Sequence, residues 1–124
     1  MIPFEYAVLR VVPRIERAEF VNAGVIVYSQ QADYLAAATH VDAGRLRALD
    51  PEADVDAIGA AVEAYAAAST DPAAAGPVGE TAIGERFRWL TAPRSTIVQT
   101  GPVHAGLTDD PAAELDRLLR RLVL

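Results

Sequence analysis

Between Phe4 and Val12 the chain reads FEYAVLRVV, and its alternation puts Tyr6, Val8, Arg10 and Val12 on one face and Ala7, Leu9 and Val11 on the other. A period of two with apolar residues on both sides predicts a strand with both faces covered, and Arg10 is a charge set among apolar neighbours. PRIERAE leads to a second such run, FVNAGVIVY (Phe20 to Tyr28), rich in β-branched and aromatic residues. QQAD then separates it from a weaker one, YLAAAT (Tyr34 to Thr39). Consecutive strands with connections this short favour an antiparallel meander over parallel crossover units.

The period then lengthens. In VDAGRLRALD, Asp42 is placed as a helix N-cap with Val41 and Leu46 as a hydrophobic staple, which predicts a short helix to about Leu49. From Asp54, Ile58, Val62 and Tyr65 recur at helical spacing to about Ala68. STDPAAAGPVG (residues 69–79) reads as a flexible internal connector rather than a domain boundary, because the remainder of the chain is too short to fold alone. Ile83, Phe87 and Leu90 mark a third helix that Pro93 ends by position 92. STIVQT (Ser95 to Thr100) reads as a fourth strand and Pro102 to Gly106 as a turn. Asp110 and Pro111 then start a helix whose stripe is Leu115, Leu118, Leu119, Leu122 and Val123. The expected fold is one α+β domain spanning residues 1–124. Its antiparallel sheet has about four strands, a meander plus one later strand, with helices packed mainly on one face.

Composition narrows the function classes. The chain of 124 residues has no cysteine, which removes disulfides, thiolate metal sites and a cysteine nucleophile and fits a reducing cytoplasm. MIPFEYAVLR lacks the basic and long apolar regions of a secretory signal, and no apolar run approaches a membrane span, so neither export nor membrane insertion is expected. A net charge of −6 argues against nucleic acid as the partner. All eleven basic residues are arginine, but with 25 alanines in the same chain this reads as codon bias rather than selection for anion recognition. Arginine position is the more informative property.

Two segments carry more polar chemistry than packing and turns require. In the first, the alternating charges Arg14, Glu16, Arg17 and Glu19 suit a solvated loop with local ion pairs, or place Arg14 and Glu16 at the rim of a recognition surface. Arg10 needs a partner or an exit to solvent. In a regular strand Asn22, Gly24, Ile26 and Tyr28 share a face, which Arg10 joins through Asn22. Gly24 then marks a bulge, or leaves room for a ligand or another backbone. In the second segment, Arg94 stands between a helix end and a strand, placed to clamp a phosphate or carboxylate or to pair with Asp109 or a helix C-terminus. His104 lies in the expected turn, able to act as a general base or as a capping group. His40 and His104 belong to no ligand cluster, and no phosphate-binding loop, dinucleotide fingerprint or nucleophile elbow is present, so no metal or cofactor is expected.

The spacing of Arg10, Pro13, Arg14, Glu16, Glu19, Phe20, Asn22 and Gly24, with RFRWLTAPRSTIVQTGPVHAGLTDDP downstream, resembles the bacterial Domain of Unknown Function 3037 family over nearly the whole chain. The resemblance implies no activity. It does imply one partner, because members are often encoded beside a HipA-like serine/threonine kinase. Against the family pattern, Ala23 stands where a larger apolar residue is expected and Gly101 where another small one is common, both expected to bear on packing.

These readings lead to one expected site and three function classes. If the two segments converge, Arg10, Arg14 and Asn22 meet Arg94 and His104 and focus positive potential in an acidic protein. The preferred class is a non-enzymatic binding or accessory module for a small anionic ligand or a protein partner, with the kinase as the implied one. The second is a small enzyme with His104 as acid/base and Arg94 as anion stabiliser. The third is a homo-oligomeric structural protein.

Overall fold

The longest strand, β1 (Ile2–Val11), is the spine on which the sheet is assembled. A computed structural model describes residues 1–124, apart from the side chain of Val78. β2 (Val21–Ser29) pairs with one edge of β1, and β3 (Tyr34–Thr39) lies outside β2, so the meander forms as its short connections require. The other edge of β1 is shared by two short strands. β4 (Val98–Thr100) lies opposite Leu9–Val11, and β5 (His104–Thr108) lies opposite Ile2–Tyr6. All pairings are antiparallel, and the sheet has five strands.

β5 corrects the turn expected from Pro102 to Gly106. Pro102 falls between the two short strands, where its missing N–H removes no ladder bond. Gly106 belongs to a strand because it sits under an aromatic ring: a Cβ there would come within 2.8 Å of the Phe4 ring. The expected strand from Ser95 is likewise shorter, with regular pairing only from Val98.

Helices cover both faces of this sheet, which accounts for apolar side chains on both sides of β1. α1 (Ala43–Leu49), α2 (Val55–Thr70) and α3 (Ile83–Leu90) lie on the face of Ala7, Leu9 and Val11. Phe87 and Leu90 meet Ala7, Ile26 and Tyr28 there, and Leu46, Ile58 and Val62 meet Val11 and Ala23. α4 (Pro111–Leu122) lies alone on the opposite face, where Leu115, Leu118 and Val123 pack on Phe4, Val25 and Val27. The helix starts agree with the caps expected at Asp42 and Asp110, and Asp54 caps α2 in the same way. Asp42 accepts from the Arg45 amide at 3.0 Å, Asp54 from Ala57 at 3.1 Å, and Asp110 from Ala112 at 3.1 Å with Pro111 in the first turn. Residues 69–79 comprise the last turn of α2, a tight turn and the start of a 3-10 stretch (Gly76–Glu80), with Ser69 and Ala75 buried. No helix among the described residues is long and apolar enough to cross a membrane.

A bulge in β2 decides what faces what. Leu9 is opposite Gly24 but Arg10 is opposite Asn22, so Ala23 is the extra residue. Asn22 is thereby turned to the α4 side while Gly24, Ile26 and Tyr28 face the other helices. The common face expected for those four residues does not form. Gly24 is required by close backbone packing rather than by ligand access, since a Cβ there would meet the Ala38 carbonyl oxygen at 2.7 Å.

Candidate functional site

The sheet brings two of the five candidate residues together and gives each of the other three a separate setting. Arg10 and Asn22 are direct neighbours on β1 and β2, and Gln99 on β4 flanks Arg10 from the other side. Asn22 is committed to the fold: its Nδ2 donates to the Leu122 carbonyl at 3.0 Å and closes the end of α4. Arg45 does the same for the Val123 carbonyl at 2.9 Å.

Arg14 reaches the end of α1, where its Nη2 donates to Asp50 at 3.2 Å. Asp50 is held below the usual carboxylate range first by the Glu52 amide and then by this guanidinium. Arg94 packs over the Trp89 ring, 4.5 Å from its centroid, and donates to the Trp89 carbonyl at 2.6 Å. That is the helix C-terminus alternative, not the ion pair with Asp109: a cation satisfies the carbonyls α3 leaves open. His104 lies on β5 opposite Tyr6 with ring centroids 5.1 Å apart. Among the described residues its imidazole has no hydrogen-bond partner that would fix a tautomer for proton transfer. It shares the α4 side with Arg10, but Tyr6 and Arg10 are four residues apart on β1, or about 13 Å at the usual strand rise.

Arg10, like Arg94, joins none of the ion pairs among the described residues. Its guanidinium stacks on Phe20, 4.1 Å from the ring centroid, and its Nε is buried with no acceptor. Gly101 leaves the space its other end occupies, since a Cβ there would lie 2.6 Å from Arg10 Nη2. Gly101, expected to bear on packing more than on a site, therefore shapes the surroundings of Arg10. Phe20 is itself 45% exposed, so the stacked pair reaches solvent. The result is a half-buried guanidinium stacked on one aromatic face, with no carboxylate paired to it among the described residues. The buried Nε is out of a ligand's reach, which leaves the two Nη nitrogens to donate to a carboxylate or phosphoryl group. Phe20 belongs to the site although its position in the chain pointed only to a strand; the warning sign was an aromatic residue at the end of a charged loop. No group of three or more metal-binding side chains converges among the described residues.

A family model described as a protein of unknown function (DUF3037) matches residues 6–123. No curated protein and no solved structure matches the chain.

Proposed function

The chain belongs to the DUF3037 family, and from the Arg10 site we propose that it is a non-enzymatic binding module that recognises an anionic group, a carboxylate or phosphoryl, on a partner. The observation that carries this reading is the half-buried Arg10 guanidinium, stacked on Phe20 and lacking a counter-charge. Holding a cation in this state is unfavourable unless something supplies the missing charge, and a bound anion does so. The kinase implied by the family resemblance is the proposed protein partner, in a cytoplasmic setting consistent with a chain free of cysteine. Binding is favoured over catalysis because His104, the one candidate acid/base, stands apart from Arg94 and has no orienting group.

The test belongs at Arg10, since Arg94 is engaged by Trp89. Arg10→Met preserves the stem packed in the sheet and removes the charge. Natively expressed tagged protein is expected to co-purify with its partner and Arg10→Met to lose it, with unfolding transitions of both recorded as the control for folding. A complex retained at full yield by a folded Arg10→Met protein would refute the assignment.

A further inference from the structure

A second arginine is buried more deeply than Arg10, in a different part of the molecule. Arg86, on α3, is only 5% exposed. Its Nη2 donates to the Ser69 carbonyl at 3.1 Å, its Nε is buried without an acceptor, and none of the ion pairs among the described residues includes it. A neutral carbonyl satisfies one donor and leaves the charge uncompensated.

The same helix begins without a side-chain cap, because the N-cap position is Ala82. The first bond of the helix runs from the Arg86 amide to the Ala82 carbonyl at 3.1 Å, so the amides of Ile83, Gly84 and Glu85 precede the ladder. Side chains on a helix lean toward its N-terminus, which carries the Arg86 stem back over that first turn. The open turn and Arg86 line one cleft of about 640 Å³ together with Tyr28 and Gln30. Tyr28 lies so close that a Cβ at Gly84 would come within 2.7 Å of its hydroxyl. An adjoining cleft of about 570 Å³ shares Tyr28 and Gln30 and runs on along Pro3, Glu5 and Ala105.

We propose that this cleft binds a phosphate monoester. Its phosphoryl oxygens accept from the amides of the first turn of α3 and from Arg86, and its organic group lies past Tyr28 toward Pro3 and Ala105. Free amides with the positive end of the helix favour a compact dianion, and an unpaired guanidinium supplies the charge that a cap residue alone would not. Asp33 and Glu85 also line the cleft and oppose an anion, which fixes the sign of a further variant.

Phenyl phosphate is the probe, added to the whole chain at constant ionic strength. The amide resonances of residues 83–85 are expected to shift, and the thermal midpoint to rise by about 5 °C at ten times the dissociation constant. Arg86→Met should abolish both responses without destabilising the unliganded protein, Arg86→Lys should weaken them, and Asp33→Asn should tighten binding. Arg10→Met should leave them intact, which separates this site from the Arg10 reading. A midpoint rise equal in wild type and Arg86→Met would come from elsewhere, the Arg10 site or the general exclusion of phosphate from protein surfaces, and would overturn the proposal. So would a titration in which none of the three amides moves.

Discussion

At the scale of single residues, three glycines differ in what stands over them, and the difference separates folding from recognition. Gly24 lies against backbone, at the Ala38 carbonyl. At Gly101 the obstacle is the movable end of Arg10, whereas at Gly106 it is the Phe4 ring, which is fixed in the core. Gly101→Ala should therefore change stability by less than about 1 kcal/mol while displacing the guanidinium, and Gly106→Ala should cost about 1–3 kcal/mol through overpacking. Urea unfolding measures both, and partner capture should fall for Gly101→Ala although it folds. Little of this is legible in the chain alone. Arg10 stands out as a charge among apolar residues, but that Gly101 makes its place depends on β4 reaching β1, a long-range pairing that no local pattern records. Arg86 leaves a clearer signal, a charge on the apolar stripe of Ile83, Phe87 and Leu90.

At the scale of elements, cap and stripe signals are legible wherever the chemistry is local. Asp42, Asp54 and Asp110 each begin the helix they announce, because a capping carboxylate needs only the amides two or three residues on. β5 is hidden because HAGLT has too little alternation to define a face, and it is held by its partner strand and by Phe4. The ends of α1 have a pH signature. Asp42 at its start is held below the ordinary carboxylate range mainly by the Arg45 amide, and Asp50 at its end by the Glu52 amide and Arg14. A carboxyl whose pKa is lower in the folded state stabilises it fully above the unfolded pKa and loses that contribution as pH falls through the folded one. Asp42→Asn and Asp50→Asn should thus lose less thermal stability than wild type between about pH 5 and pH 3. Calorimetry across that range checks it, and an unchanged slope in both would mean these carboxylates bind protons alike in either state.

At the scale of the whole molecule, the sheet divides two unequal layers. Three helices share the burial of one face, whereas α4 alone covers the other through Leu115, Leu118 and Val123. α4 is fastened at its far end by Asn22 and Arg45, from opposite sides of the sheet margin. Leu118→Ala should cost about 2–4 kcal/mol. Hydrogen exchange should show the α4 amides losing protection while those of β2, buried between both layers, lose least. Uniform loss across both layers would instead mark a single cooperative unit. The unpaired Ala23 adds a different kind of constraint, one of parity. Side chains on a strand alternate, so residues 22 and 24 would share a face in an unbroken ladder, and the bulge brings Asn22 round to the α4 terminus it closes and beside Arg10. Pairing β2 without the bulge would set Ala23 opposite Arg10 and Asn22 opposite Val11, exchanging the polar and apolar sides of its first paired positions with every residue unchanged. The site is thus specified by register as much as by chemistry, and a slip of a single position is a deeper alteration than most substitutions around it.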